Sequence, residues 1–539
     1  LAAAGEELMT RRECLGLAGS VLAAQSKPQR PNIVLFYADD LDADELGFTH
    51  DSPAYPSYTR AKRLGMSSLR PYDDARMLTP HIDGVARGGA AFTRLYVTSP
   101  LCTPSRYSLL TGRYASRSAE FQKIFPPGGP SSIVFNTSIG PGENSIAKSL
   151  HELGYATGMV GKYHNYQKGP LSDEIDQSLT EDADIQDPQV AKRVRDRYEL
   201  ALRTLRNGYG WDFVDRITIG NTERYYPASI RGQNLEWHLE GALNFLKQYH
   251  SRPFFLYFPL PVPHGQYFDI RKLNPLATPG GMLDRAPNVQ PSRESIFRRL
   301  EGAGIKDPRN SMATWMDDMV GVMLKALDDY KVADNTIVLF ISDNPSRGKN
   351  SLYEGARVPA FVRWPGVTRP GSTIDSMCAN LDVPATLIEA AGGTVPPEMR
   401  QDGRSLLPLL QGKPEPADWR DQLLFELHNT RALVTKRWKF IANRAPAAAM
   451  ARMNADAEKA KAESRVRTVG WSGGSMHFNA PADFPAYFAP DQLYDLENDS
   501  YEQRSLAEDK RYASVLEEMR GRLSRALATL PHTFGEFKQ

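Results

Sequence analysis

Apolar runs that close on charged or polar residues constrain this chain most. In PNIVLFYADD (31–40), Pro31 leads into Ile33, Val34, Leu35 and Phe36, and the run ends on Asp39 and Asp40. A strand this apolar is covered on both faces. Helix-forming stretches then lead into further strands. ENSIAKSLHELGYATGMVGKYHN reads as a helix, a stop at Gly154 and a strand. LEWHLEGALNFLKQYHSRPFFLYFPLPVPH and ATWMDDMVGVMLKALDDYKVADNTIVLFISDN repeat the order. Helices alternating with buried strands predict an α/β domain, a large mostly parallel sheet flanked by helices. Polar residues follow three of the strands: Asp39-Asp40, Lys162 with His164, and Asp343-Asn344. Ligands of open α/β sheets bind beyond the carboxyl ends of strands, so these residues are expected to meet.

After LDVPATLIEAAGG (381–393) the texture changes. ALVTKRWKFIANR and DQLYDLENDSYEQRSLAED suggest short antiparallel strands, with a terminal helix near 510–529. This predicts a smaller C-terminal α+β domain. The Ala-rich, charged segment 446–466 reads as a solvated helix inserted into it. Segments 167–210 and 271–310 are polar and read as surface excursions. Two helix starts are expected from local signals: one after a Thr79 cap, and one capped by Thr103 with Pro104 at the first position.

Composition narrows the classes. Of 539 residues, 41% are apolar and 24% charged, and the formal net charge is +1. No global field favours nucleic acid or an anionic membrane. Near the N-terminus, Arg11-Arg12 precede a short apolar run from Leu15 to Ala24, which resembles a twin-arginine export signal. The expected organisation is an export signal at 1–26, a catalytic domain at 27–395 and the smaller domain at 396–539. The implied location is periplasmic or extracellular in a bacterium. Removal of Cys14 with the signal leaves Cys102 and Cys378, which is no disulfide framework. Cys378 reads as filler of a small buried space.

Asp39, Asp40, Asp343 and Asn344 offer four hard oxygen donors, suited to Ca²⁺ or Mg²⁺. No Cys-x-x-Cys pair or His-Glu-x-x-His motif supports zinc. Cys102 precedes a helix that contains Arg106, an arrangement that would also favour a thiolate. A Cys-x5-Arg phosphatase loop is excluded, because that spacing lands on Ser108. The run CTPSRYSLLTGR resembles the signature of the formylglycine-dependent sulfatases, Cys-x-Pro-x-Arg followed by Thr-Gly-Arg. PNIVLFYADDL, TPHIDGVARGGAAFTRLYV, GYATGMVGKYH, ISDN…GKNSLYEGARVP, LDVPATLIEAAG and LYDLENDSYEQRSLAED resemble later and earlier landmarks of that family, over roughly 31–510.

The resemblance implies an alkaline phosphatase-like fold and hydrolysis of sulfate monoesters. It implies that a maturation enzyme oxidises Cys102 to formylglycine. One hydroxyl of the hydrated aldehyde would attack sulfur, and the other would lose its proton to expel sulfate. A divalent cation, Ca²⁺ ahead of Mg²⁺, would bind Asp39, Asp40, Cys102, Asp343 and Asn344. Arg106 would stabilise the hydroxylate, Lys162 and Lys349 would bind sulfate oxygens, and His164 would accept the second proton. His164 would share Lys162's side if the strand runs on. His264 would protonate the leaving oxygen. Pro345 stands where the family commonly has Gly, and the spacing from Asn344 to Lys349 is short, which makes Arg347 the rival of Lys349. The alternatives are a phosphonate monoester or phosphodiester hydrolase of the same superfamily, or a silent protein that binds sulfated glycans. Export favours a sulfated carbohydrate as substrate. Trp471, His477, His428 and Arg431 are candidates for a sugar subsite, with packing the favoured reading.

Overall fold

In the computed structural model, the described residues are 30–50, 52, 54–55, 76–165, 179–265, 269–306, 309–346, 352–353, 356–400, 402–463 and 484–537. In chain order the first strands are β1 (Asn32–Asp39), β2 (Ala90–Phe92), β3 (Leu95–Tyr96), β4 (Ala156–Lys162), β5 (Phe213–Thr218) and β6 (Phe254–Pro263). They are followed by β7 (Ala277–Thr278), β8 (Gly281–Met282), β9 (Thr336–Ser342), β10 (Ala360–Arg363), β11 (Ser372–Ile374) and β12 (Cys378–Ala379). An eight-stranded sheet takes the order β11-β2-β10-β9-β1-β6-β4-β5. Only β10 runs antiparallel to its neighbours. β3 pairs with β12, and β7 with β8, as separate two-stranded ribbons.

The period of two in β1 explains the two buried faces. Ile33, Leu35 and Tyr37 enter one apolar cluster, and Val34, Phe36 and Ala38 enter the other. The helices Leu235–Tyr249 and Arg309–Asp329 cover the second face, through residues such as Leu239, Phe245, Met316 and Met323. The helices Cys102–Thr111, Ile146–Glu152, Pro188–Gly208 and Val383–Ala390 cover the first, through Tyr107, Leu150, Leu202 and Leu387. Each such side chain, fully buried, contributes about 1.5–3 kcal/mol.

Parallel register sets the site. Ala38 faces Ser342 across β1 and β9, and Asp39 faces Pro263 across β1 and β6. The three carboxyl ends therefore lie side by side, and Asp39-Asp40, His264 and Asp343-Asn344 emerge together.

The structure adds detail to four local expectations. Segment 167–210 contains the 21-residue helix Pro188–Gly208, whose buried apolar stripe is Val194, Ala201, Leu202 and Leu205. Segment 271–310 contains the helix Arg293–Gly302, buried at Ile296 and Leu300. One narrow apolar stripe suffices against a preformed sheet, so charge on the other faces hides the helix in composition. The helix over the signature begins at Cys102, one residue ahead of Thr103, with extended Leu101 at the cap and Pro104 third. Thr79 precedes the helix Pro80–Arg87 without a side-chain capping bond. Its hydroxyl donates to Asp83 at 3.1 Å, and Asp317 accepts the N–H groups of His81 and Ile82 at 3.2 and 2.8 Å.

The second sheet is antiparallel, ordered β13 (Gln422–Leu427), β14 (Thr430–Thr435), β15 (Trp438–Asn443), β16 (Asp491–Asp495). The helix Ala513–Leu527 covers one face, joining Met519, Leu523 and Leu527 to Leu424, Leu433 and Phe440. The other face packs Phe425, Leu427 and Tyr494 with Leu101, Tyr353 and Leu381. A helix at Ala447–Ala462 lies in the expected insertion.

Candidate active site

Cys102 is fully buried at the first position of its helix, with Sγ 3.3 Å from Asp39 Oδ1. One turn on, Arg106 is equally buried. Its guanidinium donates to Asp343 Oδ2 at 2.7 Å and to the carbonyl of Lys162 at 2.8 Å, and lies 3.7 Å from Asp39 Oδ2. Lys162 Nζ, at the carboxyl end of β4, pairs with Asp39 and donates to Asn221 Oδ1 at 2.6 Å. His264 Nε2 lies 3.7 Å from Asp40 Oδ2. Asn344 Nδ2 donates to Asp40 Oδ1 at 2.7 Å.

The helix is held from beneath. Asn380 Nδ2 donates to the carbonyl and hydroxyl of Ser105 at 2.9 and 3.1 Å, and its Oδ1 accepts the N–H of Thr98 at 3.3 Å. The Tyr37 and Ser105 hydroxyls are 2.8 Å apart. Asn165 Nδ2 donates to the carbonyls of Thr103 and Thr137 at 2.8 and 3.2 Å, fixing the loop after β4 against the helix start.

His164 departs from the expected strand. β4 ends at Lys162, and His164 takes a left-handed φ of 58°. It reaches the site through that turn and not by strand alternation. Burial, then the charges of Lys162 and Arg106, push its pKa well below the ordinary histidine value, which leaves the ring neutral. Asp343 is pushed up from the usual carboxylate range by burial and by the nearby Asp39.

The donor set fits a hard divalent cation. One ligand atom each from Asp39, Asp40, Cys102 and Asp343 lie within 4.8 Å of one another. Asn344 Oδ1 is buried without a hydrogen-bond partner among the described residues. Three carboxylates here exceed the charges of Arg106 and Lys162, so a buried cation balances the site.

Lys349 and its rival Arg347 lie outside the described residues, as do Trp471, His477 and segment 1–26. His428 and Arg431 follow the packing reading. Both are buried, and Arg431 donates to the His428 carbonyl at 3.1 Å and lies over the Phe534 ring. Cys378 is a buried free thiol, as expected of filler. Sequence reasoning missed Asn221, although it follows β5 at a strand's carboxyl end, where the same rule applies.

A cleft of about 980 Å³ adjoins these residues and is lined in part by Thr103, His164 and Asn221.

Comparison with known proteins gives this geometry a family. The sulfatase family model matches residues 31–393, and the model for the C-terminal region of N-sulphoglucosamine sulphohydrolase matches 348–449. The chain belongs to the sulfatase family of the alkaline phosphatase superfamily. It is a sulfuric ester hydrolase. An ulvan-active sulfatase of Formosa agariphila is 25% identical over 501 residues, covering 91% of this chain and 78% of the relative. An N-acetylgalactosamine-6-O-sulfatase of Bacteroides thetaiotaomicron is 27% identical, covering 77% and 82%. Among solved structures, one in complex with its substrate D-glucosamine-2-N,6-O-disulfate has the same fold, with TM-score 0.57 and 17% identity over 93% of this chain and 98% of that chain. A phosphonate monoester hydrolase from Silicibacter pomeroyi has TM-score 0.55 and 17% identity over 93% and 96%.

Proposed function

We propose that this protein hydrolyses sulfate monoesters of a carbohydrate through formylglycine formed from Cys102, with Ca²⁺ at the carboxylate cluster. The observation that carries the reading is the position of Cys102, at a helix start, beside Asp39 and one turn from the buried Arg106. The hydrated aldehyde supplies a nucleophilic hydroxyl and a second hydroxyl through which sulfate can leave. A divalent cation held by Asp39, Asp40, residue 102, Asp343 and Asn344 supplies charge neutralisation and Lewis acidity.

The chain's own groups do the rest. Arg106 is fixed by Asp343 and the Lys162 carbonyl, so its charge stays beside residue 102 as negative charge develops. Lys162, held by Asn221, presents an ammonium to sulfate oxygens. Neutral His164 accepts the proton released at residue 102. His264, ordered near Asp40, gives its proton to the departing alcohol oxygen. Lys349 completes sulfate binding by the family pattern.

The carbohydrate assignment is supported by the ulvan and N-acetylgalactosamine sulfatases among the relatives. Export through a signal at 1–26 is supported by Arg11-Arg12 and the apolar run that follows. Among the described residues, no helix is long and apolar enough to cross a membrane. Domain limits of 27–395 and 396–539 fit the change from the parallel to the antiparallel sheet.

Mass spectrometry of the peptide bearing residue 102, purified from a host with the maturation enzyme, should show a loss of about 18 Da. Cys102→Ala should release sulfate at least about 10³-fold more slowly. An unconverted cysteine in fully active enzyme, or full activity in Cys102→Ala, refutes the mechanism.

A further inference from the structure

The cleft lined by Thr103 and His164 also carries side chains outside the candidate catalytic set. Thr103 follows Cys102 and Asn221 holds Lys162, so the cleft is continuous with the candidate catalytic residues. Ile124, Phe135 and Tyr226 also line it. They are the large apolar side chains most open to solvent among the described residues, at 60%, 49% and 38%. Their convergence on one cavity marks a ligand surface, since exposed apolar residues are otherwise scattered singly. The Phe135 ring stacks on His164 with centroids 6.2 Å apart, and the Arg231 guanidinium backs the Tyr226 ring at 5.0 Å. Each ring is thus supported from one side. A supported ring with open surface is a platform for the C–H face of a sugar.

The charges of the cleft do not cancel. Glu181 is paired with Arg231 at 2.6 Å. Arg197 is buried, donates to the Tyr226 carbonyl at 3.3 Å and lies over the Tyr225 ring. Arg224 lines the same cleft, is exposed, and has no ion pair among the described residues. Arg224 thus offers an exposed charge to a ligand in the cleft.

We infer that this cleft holds the alcohol portion of the substrate as a saccharide bearing a second acidic group, with Phe135 and Tyr226 packing on the sugar and Arg224 pairing with the second acid. The inference rests on the sulfatase reading and specifies what that site accepts. A sterol or simple phenol would leave Arg224 unmatched; a second sulfate or a uronic carboxylate would engage it.

The test measures sulfate release from size-defined oligosaccharides of ulvan, chondroitin sulfate, heparin and carrageenan, and from 4-nitrophenyl sulfate. Each oligosaccharide is compared with a counterpart that lacks its second sulfate or has its carboxylate reduced to the alcohol. The expected result is a kcat/KM about tenfold higher for the doubly acidic member, carried by KM. Arg224→Gln should bring that ratio to about one, and Arg224→Lys should keep most of it. Phe135→Ala should raise KM for saccharides about tenfold, and any accompanying fall in kcat reads the loss of its stacking on His164. A ratio near one in the wild type, a ratio that survives Arg224→Gln, or turnover of 4-nitrophenyl sulfate alone overturns the inference. Failure to release sulfate from every ester defeats the sulfatase mechanism itself.

Discussion

At the scale of single residues, Arg106 joins stability to chemistry. Burial opposes its charge, and Asp343 and Asp39 more than offset that, so its pKa is raised. A lysine has no planar fork to reach Asp343 and the Lys162 carbonyl together. Arg106→Lys should lower kcat/KM about 100-fold and cost about 2–4 kcal/mol in urea unfolding, since a buried carboxylate loses part of its partner. Activity within threefold of wild type would show that the fork is dispensable. His428 gives a separate, pH-dependent handle. Burial, then Arg431, pushes its pKa from 6.5 down to about 3. Between those values the unfolded chain binds a proton that the folded chain does not. Its contribution is therefore whole above the ordinary histidine pKa and is lost as pH falls, by about 1.4 kcal/mol per pH unit. His428 has a left-handed φ of 47°, which asparagine tolerates. His428→Asn removes the titration, so the stability advantage of wild type should shrink by about 2 kcal/mol between about pH 7 and pH 5. A gap that does not change with pH would contradict a neutral, buried histidine.

At the scale of elements, the helix Cys102–Thr111 matters because it carries both residue 102 and Arg106. Every residue in it is buried, and its capping residue, Leu101, supplies no side-chain bond. Asn380 holds this uncapped helix from the side, donating to the carbonyl and hydroxyl of Ser105 while accepting the N–H of Thr98. Asn380→Leu should cost about 2–3 kcal/mol by stranding buried polar groups. It should also lower kcat about tenfold by loosening the helix that aims residue 102. Lost stability with unchanged kcat would make Asn380 a packing residue only. The strands β1, β4, β6 and β9 were legible because each is apolar and bounded by Pro, Gly or charge. The helix Pro188–Gly208 was not, because its buried apolar stripe is four residues among many charged ones. The turn at His164 was hidden as well, since nothing in GKYHN announces a left-handed histidine.

At the scale of the molecule, the described residues from 31 onward form one compact unit. The two sheets are tied by contacts that neither could make alone. Arg420 pairs with Asp382 through Nη1 and Oδ2 at 2.6 Å, Arg117 reaches Asp402 at 2.8 Å and the Thr529 carbonyl at 2.8 Å, and Glu426 accepts the N–H of Ser116 at 3.2 Å. With Leu101 and Tyr353 buried against β13 and β16, the smaller sheet supports the start of the signature helix. Scanning calorimetry should show one cooperative transition for both sheets. Two well-separated transitions would mean that the antiparallel sheet folds independently. Stripping divalent ions with EDTA should lower the transition temperature, and Ca²⁺ at about 100 times its Kd should restore about 2.7 kcal/mol. A transition indifferent to both treatments would argue against a cation among Asp39, Asp40 and Asp343.

The sequence alone determined the α/β class, the strands that end in carboxylates, and the run CTPSRYSLLTGR that singles out Cys102. Those features are local: apolar continuity, turn residues and spacing within one segment. The strand-end rule predicts that the carboxylates, Lys162 and His164 meet, and packing is the favoured reading of His428 and Arg431. Only the tertiary structure decided the pairings within the cluster, Lys162 with Asp39 and Arg106 with Asp343, and that Asn221 and Asn380 hold Lys162 and the signature helix. Convergence depends on parallel register between strands hundreds of residues apart. No short-range signal encodes which buried partner a polar side chain will meet.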